Sequence, residues 1–324
     1  MGATIPFAVA TTSFHKRIER AALPRIHQGK VRDTYILPDP NLLFVLATDR
    51  VSIFDFVLPT IIPLKGEVLT ALTVFWLRDV LDDVRHHLIA YGKDIDDYLL
   101  ARLRGDKELH NRGLVVRKLA MLPIECIVRN NLTGSGWKSY QKDKTVCGIT
   151  LPPDLHDGSQ LPAPIFTPTT KAETGHDEPL DAEDVVRENG TWIREQSLAI
   201  FNEVASYART KGLILADTKF EFGKDGTLAD EVATPDSSRY WDLKEWERAC
   251  EKRETPPSYD KEIVRTWGKQ HGVDKLDPTN TNDLNAVASL QIPQDVLDKT
   301  VDRYHEVFRR ITGESLKEFQ LHME

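Results

Sequence analysis

The chain has 324 residues, 40% of them apolar and 28% charged, with 42 basic against 50 acidic side chains and a net charge of −8. That is the make-up of a globular protein with a sizeable core, and the length suits two lobes. An acidic balance without any lysine- or arginine-rich block excludes a general nucleic-acid binder, so positive charge for an anionic ligand must be concentrated locally.

Residues 1–12 lack a basic flank followed by a long apolar run, and no secretory signal is expected. Residues 14–28 read as a leading segment. Gly29–Lys30–Val31–Arg32–Asp33 then leads into an apolar strand, the turn Pro38–Asp39–Pro40–Asn41 and a second strand at 42–47, so 30–48 is a β-hairpin. Glycine permits close backbone approach and lysine meets phosphate charge, although a surface lysine at a turn is the plainer reading of Gly29–Lys30. A proline-punctuated loop follows Phe54–Asp55–Phe56.

Apolar residues recur at helical spacing over 67–84, and 94–103 reads as a second helix. Strands are expected at 114–119 and 124–128, then a short helix at 134–142. Arg129, Ser135 and the helix start between them form a natural anion site, or else a plain turn with Ser135 as its cap. The proline- and glycine-rich stretch 149–180 reads as a long loop, and loops of that size carry function or stay disordered. Within it, 166–177 gathers hydroxyls, Lys171, His176 and Asp177.

A long helical pattern covers 181–211, with Gly190 as an interruption. After the apolar run 213–215, Asp217, Lys219 and Glu221 alternate, so an extended backbone points all three to one face. Asp225–Gly226 turns the chain back toward Asp230–Glu231. Such a hairpin suits a phosphate-bound divalent cation, since magnesium takes one or two protein carboxylates and fills its octahedron with phosphate oxygens and water. A solvated face of ordinary ion pairs is the alternative. Arg239 lies just beyond, and helices are expected at 259–268 and 293–312. Strand-rich sequence first and mixed sequence later indicate an α+β protein with a smaller β lobe, 1–122, and a larger lobe, 123–324. Cys126, Cys147 and Cys250 lie far apart without C-x-x-C spacing, which fits a reducing, cytoplasmic setting, and no apolar run is long enough to span a membrane.

Eight blocks, in order over 29–240, resemble the SAICAR synthetase family: G-K-V-R-D at 29–33, A-T-D-R-V-S at 47–52, P-L-K-G-E-V-L-T at 63–70, P-I-E-C-I-V-R at 123–129, L-T-G-S-G-W at 132–137, F-T-P-T-T-K-A-E-T-G-H-D-E at 166–178, A-D-T-K-F-E-F-G at 216–223 and D-E-V-A-T-P-D-S-S-R at 230–239. Wording and length look closer to the single-function fungal members than to the shorter bacterial ones. One departure is Asn130–Asn131, where the fungal pattern has glycine and tyrosine and bacterial members have arginine and asparagine.

The resemblance implies a small antiparallel lobe like the ATP lobe of protein kinases, a larger α+β lobe, and the nucleotide between them. It implies joining of L-aspartate to an imidazole carboxylate ribonucleotide with ATP and magnesium, so the expected partners are small molecules, with no nucleic acid or membrane. A monomer is one expectation, and the sequence leaves the oligomeric state open. On that basis Gly29, Lys30 and Arg32 meet the ATP phosphates, while Lys118, Met121 and Glu125 lie along the adenine-binding hinge. Glu221 and Asp230 hold magnesium, and Asp217 and Lys219 sit at the transferring phosphoryl. Arg129, Ser135 and Arg239 hold the substrate's phosphate and carboxylate. Asp49, Arg50 and Ser52 line the imidazole nucleotide pocket, and Lys171, His176 and Asp177 contact L-aspartate or the substrate carboxylate. A small-molecule kinase that stops at phosphoryl transfer, and a nucleotide-binding regulatory protein without catalysis, are the competing readings.

Overall fold

The structure, a computed structural model, describes residues 13–171 and 177–323, and the chain divides into two units. The first draws on 1–74, 87–119 and 261–324, the second on 75–86 and 120–260.

In the first unit, β1 (Arg25–Gln28), β2 (Arg32–Ile36) and β3 (Leu42–Ala47) run antiparallel. A separate hairpin pairs β4 (Arg50–Ile53) with β5 (Phe56–Ile61). β6 (Leu88–Tyr91) and β7 (Gly113–Arg117) complete a five-stranded sheet of order β1-β2-β3-β7-β6. Alternation along β2 turns Tyr35 inward, where it meets Phe44 and Val115 and the apolar face of the helix Ser13–Arg20. The β4–β5 hairpin is absent from the sequence reading because its two-residue turn, Phe54–Asp55, carries no glycine and opens on an aromatic residue. Both nonetheless adopt positive φ, 49° and 66°, as a primed turn requires.

The apolar side chains of that hairpin, Val51, Ile53, Phe56 and Leu58, pack on Val264, Trp267 and Val287. The helices Glu262–Gln270, Thr281–Ala288 and Gln294–Thr312 therefore cluster with the first unit, whereas the sequence reading assigns them to the larger lobe. The helix read over 94–103 forms instead as two 3₁₀ segments, Gly92–Asp97 and Ala101–Leu103. The buried spacing Ile95–Leu99–Leu103 survives across the break.

The second unit is built on β8 (Ile124–Asn131), a small hairpin of β9 (Thr145–Val146) and β10 (Ile149–Thr150), β11 (Gln160–Phe166), β12 (Thr169–Thr170), β13 (Leu213–Phe222), β14 (Leu228–Ala229) and β15 (Ser238–Asp242). β13 lies at the centre, antiparallel to β8 on one edge and to β14 and β15 on the other, while β11 and β12 pair with β8. Ile193, Ile200, Phe201 and Val204 of the helix Trp192–Thr210 are buried, and that helix packs over β13 and β8. Gly190, at φ +94°, separates it from the helix Ala182–Asn189.

The described part of 149–180 is more regular than a loop, since it contains β10, β11 and β12. Pro162 and Pro164 mask β11 in the sequence, but proline is tolerated on an edge strand, and the register shifts between Gln160 and Ile165. The helix read over 67–84 is α-helical only over Lys65–Phe75 and continues as a wider π turn at Trp76–Val80. That turn directs the buried Trp76 indole at the carbonyl of Ala233, 3.1 Å away.

Candidate active site

The register of the second unit's sheet sets the site. On β13, Asp217 lies opposite Arg129 of β8 on one side and Arg239 of β15 on the other. Both guanidiniums donate through Nη1 to Asp217 Oδ2, at 2.6 Å each. Arg129 also donates from Nη2 to Ser135 Oγ at 2.9 Å and from Nε to Thr167 Oγ1 at 3.0 Å. Burial pushes the Arg129 pKa down, and the Asp217 carboxylate opposes it.

The L-T-G-S-G turn is shaped by these arginines. A Cβ on Gly134, at φ +58°, would stand 2.6 Å from Arg239 Nη2, and one on Gly136 would lie 3.1 Å from Arg129 Cδ. The positive φ at Gly134 favours glycine, and a side chain at either position would press on an arginine. Ser135 faces Arg129 rather than capping its helix, and the N-cap residue Thr133 makes no side-chain cap. Two arginines, a hydroxyl and a helix start therefore converge, the requirements of a phosphate or carboxylate site.

Further along the same face, Lys219 Nζ donates to Glu125 Oε1 at 2.7 Å and Glu221 Oε1 at 3.3 Å, and Lys171 pairs with Glu221 Oε2. Burial works against the Lys219 charge, but Glu221, Glu125 and Asp230 outweigh it and hold its pKa above the ordinary lysine value. Glu125 moves the other way: burial raises its pKa, Lys219 only partly offsets that, and Asp177 and Glu221 add to the rise. Asp230 follows β14 with φ +60°, a strained conformation for a residue other than glycine, and Ala233 repeats it at +50°. Such outliers collect where backbone geometry serves a ligand.

Among the described residues no three His, Cys, Asp or Glu side chains form a ready metal cage. The donor set still suits magnesium. Glu221 is 3% exposed and has an ammonium on each oxygen, and Asp230 lies close enough to raise the Lys219 pKa. A buried carboxylate that already needs counter-cations is a fitting oxygen ligand for a hard cation.

In the first unit, the Gly29 N–H closes a turn onto Arg32 O at 2.7 Å, and the half-exposed Lys30 ammonium pairs with Asp55 at 2.5 Å. Asp49 is held bidentately by Arg112, at 2.6 and 3.1 Å, and accepts the Gly66 N–H at 2.9 Å. Arg50 is 3% exposed, its donors taken by Asp33 and by the carbonyls of Gly29 and Lys30. Ser52 is buried on β4. Lys118 is exposed with its N–H on Asn41 O, Met121 bridges to Gly223 within the second unit, and Asp177 is exposed. His176 lies outside the described residues. Sequence reasoning missed Asp33, Arg112 and Thr167 as partners of the expected residues. Thr167 was within reach, since it stands in a hydroxyl-rich block after a strand.

The SAICAR synthetase family profile matches residues 25–278. A phosphoribosylaminoimidazole-succinocarboxamide synthase of Saccharopolyspora erythraea is 44% identical over 92% of this chain and 97% of its own. The enzyme of that name from Saccharomyces cerevisiae is 42% identical over 90% and 95%. A solved SAICAR synthase from Saccharomyces cerevisiae complexed with SAICAR superposes with a TM-score of 0.76 at 38% identity, covering 90% of this chain and 96% of that one. A SAICAR synthetase solved in complex with ADP gives 0.60 at 25% identity, covering 89% and 98%. With a matching profile over most of its length and relatives above 40% identity in bacteria and yeast, the chain belongs to the SAICAR synthetase family.

Proposed function

We propose that this protein ligates L-aspartate to 5-amino-1-(5-phosphoribosyl)imidazole-4-carboxylate with ATP, giving the succinocarboxamide, ADP and phosphate in purine synthesis. The observation that carries this reading is the single face of β13. Asp217 anchors an arginine pair there, and Lys219 with Glu221 forms a cation–carboxylate cluster two to four residues on. At about 3.3 Å per residue the two groups are roughly 7–13 Å apart along the strand, a span suited to a substrate with a phosphate at one end and a reacting carboxylate at the other.

An amide cannot form directly from a carboxylate, because oxide does not leave. The imidazole carboxylate attacks the γ-phosphoryl and becomes an acyl phosphate, and the aspartate amine then displaces phosphate. Phosphoryl transfer needs mainly positioning and charge neutralisation. Arg129, Arg239 and Ser135 would hold the ribose phosphate, with Asp217 fixing both guanidiniums. Lys219, charged throughout the working pH range, would stabilise the transferring phosphoryl. Glu221 and Asp230 would hold magnesium, which neutralises triphosphate charge when bound. Lys30 would meet the phosphates of ATP, and Lys171 would exchange Glu221 for a substrate carboxylate. Three free cysteines accord with a cytoplasmic setting.

The test is an assay with all three substrates, following ADP and the succinocarboxamide together. Both are expected to require L-aspartate in equal amounts. ADP formed at full rate without aspartate would establish the kinase reading instead.

A further inference from the structure

The turn at residues 29–32 has its carbonyls occupied by protein donors. Gly29 O accepts from Arg50 Nη2 at 2.9 Å and Lys30 O from Arg50 Nε at 3.2 Å. Val31 O takes the Thr48 N–H at 2.9 Å and the Thr48 hydroxyl at 2.7 Å, and Arg32 O takes the Gly29 N–H. By contrast, the N–H groups of Lys30 and Val31 meet no acceptor among the described residues. Two successive free amides beside a lysine are the elements of an anion nest.

What fixes the carbonyls inward is a buried ion pair. Asp33 is fully buried and grips the Arg50 guanidinium from the far side, Oδ1 to Nη2 at 2.7 Å and Oδ2 to Nη1 at 3.2 Å. His15 Nε2 completes the carboxylate's shell at 2.7 Å. The planar fork thus reads a carboxylate on one edge and two carbonyls on another, which a lysine's point charge cannot reproduce. Arg50 is 3% exposed, and its donors are spent on Asp33 and on the carbonyls of the turn.

We propose that Arg50, locked by Asp33, is a positioning residue that holds the 29–32 turn as an amide nest for the terminal phosphates of a nucleoside di- or triphosphate. This rests on the ATP-dependent reading above. Arg50 acts through the backbone and not by contact, so its loss weakens recognition of the phosphate tail and spares the rest of the nucleotide.

The experiment compares ADP and AMP binding by calorimetry in the wild type, Arg50→Gln and Arg50→Lys, with thermal melts to confirm folding. Arg50→Gln is expected to lower the ADP preference, the ratio of the AMP to the ADP dissociation constant, at least tenfold, with Arg50→Lys between it and the wild type. A folded Arg50→Gln variant that keeps the wild-type ratio overturns the proposal, as does an equal loss for both nucleotides. If Arg50→Gln does not fold, the same ratio in Arg50→Lys decides, and an unchanged value there is equally fatal. A wild type that binds neither nucleotide refutes the ATP-dependent reading itself, a result distinct from an intact preference that ignores Arg50.

Discussion

Asp217 and Arg129 face each other across neighbouring antiparallel strands, and the arginine's Nη1 lies 2.6 Å from the carboxylate's Oδ2. Arg239 closes on the same oxygen, so one carboxylate oxygen orients two guanidiniums. Asp217→Ala is expected to cost about 3–5 kcal/mol, the usual penalty for stranding one partner of a buried ion pair. Urea unfolding measures it. In the milder Asp217→Asn the KM for the imidazole nucleotide should rise at least about tenfold while kcat falls less, as expected when ground-state and transition-state binding are lost together. A fall confined to kcat would point instead to Asp217 acting as a general base.

In the proposed reaction Lys219 would stabilise the transferring phosphoryl. Lys219→Met should lower kcat by about 10²–10³, the range for removing one preorganised electrostatic donor. The same variant leaves Glu125 without the cation that partly offsets its burial, which raises its folded pKa further. A raised carboxylate pKa means stability that is present at low pH and lost as pH climbs through it. The variant should therefore melt closer to the wild type at pH 5 than at pH 8, and a thermal-melt series checks this.

Glu221→Gln tests the cation site. It keeps the shape and removes the charge, so the magnesium concentration for half-maximal activity should rise at least about tenfold. Manganese binding followed by paramagnetic resonance in the presence of ADP should weaken in parallel. Unchanged manganese affinity would remove Glu221 as a ligand.

Asp33 makes a prediction about acid. Burial alone would raise its pKa, but hydrogen bonds from His15 and Arg50 and the Arg50 charge bring it below the ordinary value of 3.8. A depressed folded pKa gives stability that is complete above the unfolded value and disappears as pH falls through the folded one. The stability gap between wild type and Asp33→Asn should therefore be widest above about pH 5 and shrink steadily below pH 4. Denaturant midpoints at pH 6 and pH 3 suffice to see it.

The polar face of β13 is legible from sequence because alternation is a strict rule of extended backbone, and Asp217, Lys219 and Glu221 obey it. What the residues do to one another is less legible. Arg50 reads as a ligand contact because it is charged and stands in a polar block. Its burial depends on Asp33, 17 positions earlier and on another strand. The β4–β5 hairpin and β11 are hidden for a different reason: Phe54–Asp55 turns without glycine, and Pro162 and Pro164 sit in a strand. In each case tertiary partners override a local preference that was read correctly.

The first unit is assembled from three separated stretches of chain, and this bears on how the protein is made. Val51, Ile53, Phe56 and Leu58 emerge from the ribosome long before Val264 and Trp267, the side chains that cover them. At about 5–20 residues per second, some 200 intervening residues leave that apolar surface uncovered for roughly 10–40 seconds. A nascent chain of this kind is a natural client for a holding chaperone throughout its translation.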